Sequence, residues 1–212
     1  SRQYTDLGIL TSDPKICADA VRLFDGLENG VLHDDYRALL VSPTTLKKTL
    51  LKKIKHEQNM AERGDKAYIC MKMNSLTDID IINALVAASN AGVMIDLIIR
   101  GICCLKAGVP GATENITVTS IVGRYLEHSR IYYFGIDAKN GIFIGSADMM
   151  TRNTSRRIEV LTPIYDEKIA ETLVEMTKMQ LADNVKAQEM QPDGKYKKRR
   201  PASYEERRID SQ

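Results

Sequence analysis

Between residues 37 and 100 short apolar runs alternate with longer stretches whose apolar residues recur at helical spacing, and this alternation restricts the fold more than any other feature. Residues 38–41 (ALLV), 67–73 (AYICMKM) and 93–100 (VMIDLIIR) have the length and composition of strands. Leu46, Leu50 and Ile54 line one face of the stretch after the first run, and residues 74–78 (NSLTD) cap a helix running to Asn90 after the second. Strands alternating with helices predict an α/β fold: a mixed, mainly parallel sheet with helices on its faces. Farther on, residues 116–122, 130–134, 142–145 and 157–161 read as strands, and residues 135–141 close a β-hairpin. Upstream, residues 4–10 read as a strand. Asp13 and Pro14 then start a helix as cap and first-turn proline. Residues 29–35 read as a linker, and residues 166–184 as a last amphipathic helix.

Charge and cysteine usage exclude several classes. The chain has 212 residues and a net charge of +2. Lys195, Lys197, Lys198, Arg199 and Arg200 are all basic, so the rest is slightly acidic. An anion site in the body must be built from a few placed side chains, and a broad nucleic-acid-binding field is not expected. Cys17, Cys70, Cys103 and Cys104 form no Cys-x-x-Cys pair, which argues against a zinc cluster and for reduced, mostly buried thiols. No apolar run has the length of a membrane span. The start lacks a signal peptide pattern, and it reads as a piece of a longer protein. Neither a P-loop nor a dinucleotide-binding glycine fingerprint is present.

The chemistry concentrates in residues 123–134 (GRYLEHSRIYYF). His128 and Arg130 stand two apart at the mouth of a strand, so they share a face. Imidazole changes charge near neutral pH, and guanidinium suits phosphate. In the hairpin, residue 128 lies opposite residues 146–148 (SAD). That adds the Ser146 hydroxyl and a backbone made approachable by Gly145. Glu159 on the next strand is expected to reach the second nitrogen of His128 and to fix its tautomer. Arg100 ends an apolar strand and precedes Gly101, where open α/β sheets bind ligands. Arg124 is a further phosphate candidate, and Arg152, Arg156 and Arg157 are weaker ones. His33 and His56 are expected to be exposed and inert.

Six runs together carry a family resemblance. They are residues 4–11 (YTDLGILT), 72–78 (KMNSLTD), 100–105 (RGICCL), 120–132 (SIVGRYLEHSRIY), 145–153 (GSADMMTRN) and 181–187 (LADNVKA). In this order they resemble the C-terminal part of polyphosphate kinases of the large, phospholipase-D-like type. The resemblance implies two phospholipase-D-like domains in tandem. Residues 1–33 would end the first, residues 34–190 would form the second, and residues 191–212 would be a basic, mobile tail. The His-x-Lys motif of phospholipase D relatives stands here as His128-x-Arg130, with Gly135 in place of its Asp and Asp148 in place of the Asn that follows Gly-Ser-x. These departures fit the kinase better than a phosphodiesterase or nuclease; a non-catalytic polyanion-binding module is the other alternative.

The resemblance further implies reversible transfer of the ATP γ-phosphoryl group to polyphosphate through a phosphohistidine upstream of this chain. It gives Tyr4, Arg100 and His128 to ATP, and His128 and Glu159 to catalysis; Arg124, Arg130 and Ser146 remain candidates for phosphate contacts on their own chemistry. Magnesium is implied, with its ligands upstream. The implied partners are ATP, ADP and inorganic polyphosphate, without nucleic acid, in a full-length homo-oligomer. The implied location is cytoplasmic, with a peripheral position on the inner membrane face left open.

Overall fold

The computed structural model describes residues 3–201, 203 and 207–212. In chain order its elements are β1 (Tyr4–Thr5), α1 (Pro14–Glu28), β2 (Leu40–Ser42), α2 (Leu46–Glu62), β3 (Tyr68–Met73), α3 (Ile79–Asn90), β4 (Met94–Ile99), β5 (Ile116–Ile121), β6 (Leu126–Glu127), β7 (Arg130–Phe134), β8 (Ile142–Gly145), α4 (Thr151–Ser155), β9 (Glu159–Pro163), α5 (Glu167–Leu181), β10 (Ala187–Met190) and β11 (Tyr196–Lys198). Three helices start on aspartate caps. Asp13 accepts from the amides of Lys15 and Ile16, Asp78 from those of Asp80 and Ile81, and Asp166 from that of Ile169. Each satisfies amide donors that the helix itself leaves free.

Among the described residues nine strands form one sheet, in the order β11-β10-β5-β4-β3-β7-β8-β9-β2. The sheet is mixed, but it is not mainly parallel. Only β3–β4 and β4–β5 pair in parallel, and the other neighbours run antiparallel. The strand–helix alternation ends at β4; β5 still pairs with it in parallel across the connection of residues 100–115, and from β7 onward hairpins and returns take over, where strands joined by a tight turn must oppose. Alternate residues divide the core. Ile69, Met71, Met73, Tyr132 and Phe134 pack with Leu46, Leu50 and Ile54 of α2 and with Ile81 and Leu85 of α3. Cys70, Ile131, Tyr133 and Ile144 pack with Leu173 and Val174 of α5. Helices therefore cover both faces.

The expected mobile tail is instead docked. β10 and β11 form a hairpin on the edge of the sheet through β5. Arg199 donates to Glu189 Oε2 at 2.8 Å and to Thr119 Oγ1 at 3.0 Å. The polar composition that suggested a tail belongs to an edge strand, whose exposed lysines discourage further pairing. Residues 202 and 204–206 of that stretch lie outside the described residues. Residues 207–212 return to the body. Ile209 exchanges main-chain and side-chain bonds with Asn184, and Ser211 donates through N and Oγ to Asp183 Oδ2 at 2.9 and 2.7 Å.

Asp183 is fully buried, and its Oδ1 accepts from the amides of Val185, Lys186 and Ala187. Burial acts to raise its carboxyl pKa, but these bonds and those from Ser211 outweigh it and lower the pKa from 3.8 to about 2. A carboxyl depressed on folding stabilises above its unfolded pKa, and that contribution disappears as pH falls through the folded one. Asp183→Asn is expected to cost about 2 kcal/mol at neutral pH, with the difference closing between about pH 4 and pH 2. Thermal unfolding of both proteins across that range checks it, and a constant difference would refute the assignment.

Candidate active site

The hairpin β7–β8 pairs Arg130 with Gly145, which sets residue 128 opposite residue 147. β1 runs parallel to β6, with Tyr4 beside Leu126 and Thr5 beside Glu127. The amides of His128 and Ser129 then both donate to Thr5 O at 3.1 Å. That two-residue pairing carries Tyr4 and Asp6 to the imidazole. Asp6 Oδ2 lies 2.8 Å from His128 Nδ1, and the Tyr4 ring stands edge-on to the imidazole with centroids 5.2 Å apart. Asp6 is an acceptor, so the tautomer inferred from this bond carries its hydrogen on Nδ1 and presents a lone pair at Nε2. Burial works to raise the Asp6 carboxyl, but hydrogen bonds from His128 and from the Leu7 amide outweigh it and hold the carboxyl below its usual range.

A chain of polar contacts links His128 to Arg100. Arg130 Nη1 donates to His128 O at 2.9 Å and lies 3.1 Å from both ring nitrogens. Arg130 Nε pairs with Asp148 Oδ1 at 3.3 Å. Asp148 accepts from Asn74 N at 2.8 Å and from Asn74 Nδ2 at 3.1 Å. Arg100 Nε donates to Asn74 Oδ1 at 2.5 Å and to Glu127 O at 3.0 Å. Asp148, at the position of the motif's Asn, is thus the acceptor shared by Arg130 and Asn74.

Two clefts flank this chain. One, of about 410 Å³, is lined by Tyr4, Arg100, Arg124 and Glu127, among others. The second, of about 260 Å³, holds Asp6, His128, Arg130, Gly145 and Ser146. Tyr4 lines the first while its ring touches His128 in the second, so the candidate ATP residues meet there. Of these two, the first falls within the usual size of ligand sites, about 300–1,000 Å³. A larger cleft of about 800 Å³, bordered by residues 181–184 and 197–200 at the end of the sheet, contains none of these groups.

Glu159 does not hold His128. Its Oε1 accepts from Asn153 Nδ2 at 2.6 Å, and in β9 it pairs with Ser42 of β2. The chain through residues 145–147 runs between it and the imidazole, and two strand spacings amount to about 10 Å. The orienting carboxylate is Asp6, which was not among the residues expected from the sequence. Its trace there was the i, i+2 spacing from Tyr4. Ser146 Oγ accepts from Val160 N at 3.2 Å, so the hydroxyl oxygen is partly engaged by β9. Arg124 is exposed, its guanidinium carbon 5.6 Å from the Tyr125 ring centre. Arg152, Arg156 and Arg157 are exposed, His56 is exposed and His33 half-buried. Of the cysteines, Cys17 and Cys104 are exposed and only Cys70 is buried.

Magnesium does not find a cage in these side chains. Among the described residues no three His, Cys, Asp or Glu side chains converge on one point. Asp6 and Asp148, the carboxylates nearest the arginines, are bonded to His128, Arg130 and Asn74. Among the described residues no helix is long and apolar enough to cross a membrane.

Residues 39–212 match the family described as polyphosphate kinase C-terminal domain 2. The chain is 48% identical over 205 residues to a polyphosphate kinase of Thermosynechococcus vestitus, covering 97% of this chain and 28% of that protein. It is 46% identical over 206 residues to a polyphosphate kinase of Synechocystis sp., again covering 97% of this chain and 28% of the relative. The solved structure of polyphosphate kinase from Porphyromonas gingivalis superposes with a TM-score of 0.88 at 35% identity, covering 95% of this chain and 31% of that one. The chain therefore spans less than a third of the length of each of these relatives.

Proposed function

This chain belongs to the polyphosphate kinase family, and from that membership we propose that it forms the nucleotide-facing part of an ATP:polyphosphate phosphotransferase. The reaction is reversible. A histidine upstream of this chain attacks the γ-phosphorus, the bond to the β,γ-bridging oxygen breaks, and ADP leaves. The phosphoryl group then passes from that phosphohistidine to a terminal oxygen of polyphosphate. Residues 34–212 make up most of a second phospholipase-D-like domain, and residues 1–33 belong with the preceding one. On α1 Val21 and Phe24 are exposed, while Ile16 and Leu23 on its other face pack on Ala38, Leu39 and Val41.

The observation that carries this reading is the run of contacts from Arg100 through Asn74, Asp148 and Arg130 to His128 and Asp6, set between two adjoining clefts. Phosphoryl transfer demands little covalent work from the protein beyond positioning and stabilisation of charge on oxygen. Arg100, Arg124 and Arg130 supply guanidinium groups for the phosphates. Tyr4 gives a ring beside the nucleotide. His128 offers Nε2 to the reacting phosphate or its proton, and Asp6 stabilises the imidazolium that forms. Glu159 keeps a place in the family motif without contact to His128. Magnesium, when it accompanies ATP, supplies charge neutralisation at the phosphates, and its protein ligands lie outside this chain.

The test is incorporation of γ-labelled phosphate. The full-length enzyme is expected to make polyphosphate from ATP, whereas residues 1–212 alone are expected to acquire no acid-labile phosphate. Labelling of the isolated chain would overturn the upstream nucleophile. Hydrolysis of a phosphodiester without ATP would favour the phosphodiesterase reading.

A further inference from the structure

Both chain neighbours of His128 are held by one buried ammonium. Lys72 projects from β3 with its side chain only 2% exposed. Its Nζ lies 3.1 Å from Glu127 Oε2, 2.7 Å from Ser129 Oγ and 3.2 Å from Ser129 O, so three acceptors meet its three hydrogens. A lysine at this depth is rare unless paired in this way. Burial, outweighing the attraction of Glu127, pushes its pKa below the ordinary value.

Glu127 extends the arrangement. Its Oε2 also accepts from Gln180 Nε2 of α5 at 2.9 Å, and Oε1 accepts from Gln212 Nε2 at 3.0 Å. Its main-chain carbonyl takes the bond from Arg100. Residues 127 and 129 are thereby fixed by side chains from β3, α5, the docked 207–212 segment and the strand end at Arg100. Of the three, only residue 128 lines the smaller cleft with Ser146, where Asp6 and Tyr4 set the ring.

We propose that Lys72 and Glu127 are a positioning pair for His128, clamping its two neighbours so that the imidazole meets the phosphate in one fixed geometry; the inference rests on the proposed function above. Stability alone is a weak reason for such a pair. The desolvation of two charges offsets most of their attraction, and apolar replacements of similar volume are often neutral or better. The contacts also concentrate on the two residues flanking the reacting side chain. Placement is where such a clamp has leverage, since an error of about 1 Å at a reacting group costs about 100-fold in rate.

The test is the double variant Lys72→Met/Glu127→Gln in the full-length enzyme, which removes both charges together and leaves neither buried alone. The amide introduced by Glu127→Gln keeps one acceptor oxygen for Gln180 or Gln212, and its NH2 group pairs with the other once that side-chain amide turns its own oxygen inward. The expected result is an unfolding midpoint within about 3 °C of the parent and kcat for polyphosphate synthesis reduced about 100-fold. KM for ATP is expected to move by less than about 3-fold, because an interaction that only places the reacting group acts on kcat. Unchanged kcat, or kcat and KM degraded together, overturns the clamp. Should the double variant not fold, Ser129→Ala decides. It removes one acceptor of Lys72, and about 10-fold lower kcat at constant KM is expected, with parental kcat overturning the proposal. His128→Ala is measured in parallel. If it is inactive while the double variant is fully active, the clamp alone fails; if it is fully active, the clamp and the proposed function fail together.

Discussion

His128→Ala in the full-length enzyme is expected to lower kcat for polyphosphate synthesis by about a thousand-fold, the range of a lost acid–base or charge-stabilising group, while the protein stays folded. The geometry separates the two effects. The imidazole side chain is 31% exposed and its Asp6 partner 53% exposed. Removing the ring leaves a carboxylate that water can reach, and substitutions at such positions usually move stability by about 0.5 kcal/mol or less. The unfolding midpoint should accordingly stay within about 3 °C of the parent. Activity has no such substitute. No second histidine approaches the cleft among the described residues that line it, and Arg130 offers only donors. Polyphosphate formed from labelled ATP gives the rate, and calorimetry gives the midpoint. Parental turnover in the variant would remove His128 from the site.

What the sequence made legible follows from how far each feature depends on local chemistry. The hairpin was readable to the residue. Arg130–Phe134 and Ile142–Gly145 are bounded by turn-forming glycines, and a hairpin's register follows from its loop. The Asp13 cap of α1 was readable, and the cap of α3 to within residues 74–78, because a cap is a contact within three residues. Strand direction was not. An alternating pattern predicts parallel pairing only where a helix crosses back between two strands, and from β7 onward the sheet is built by hairpins and returns.

The same distinction divides the site. His128, Arg130 and Arg100 could be named because a basic group at the end of an apolar strand is conspicuous. Asp6 could not, because its contact spans 122 positions and depends on the two-residue pairing of β1 with β6. Motif order suggested Glu159 as the orienting carboxylate, but order in a motif does not say which acid crosses to which ring. Lys72 carries a signal of its own in the sequence. A single charge inside the apolar run YICMKM, in a strand covered on both faces, requires a buried partner.

Gly145→Ala is expected to destabilise the protein by about 3 kcal/mol or more, the cost of forcing backbone apart in a packed sheet. From the sequence this glycine was expected to serve an anion, as a residue that leaves its amide approachable. The structure gives it another task. A Cβ built there collides with Val160 O and comes within 2.9 Å of Leu161 Cα and Cδ2. Two of these three atoms belong to the main chain of β9, so no side-chain rotation relieves the contact. β9 is tied back at this point by Ser146 N donating to Val160 O at 3.0 Å and Val160 N donating to Ser146 Oγ at 3.2 Å. Moving it strains both bonds and disturbs the fully buried Leu161. For a domain of this size such a loss lowers the unfolding midpoint by about 6–12 °C. Gly8→Ala is the control, because nothing lies within 4 Å of a Cβ at Gly8, and its midpoint should match the parent's. Equal midpoints for the two variants would return Gly145 to the anion-access role. A large drop for Gly145→Ala alone makes the close approach of β8 and β9 the reason for glycine here, with Ser146 held in the His128 cleft as its consequence.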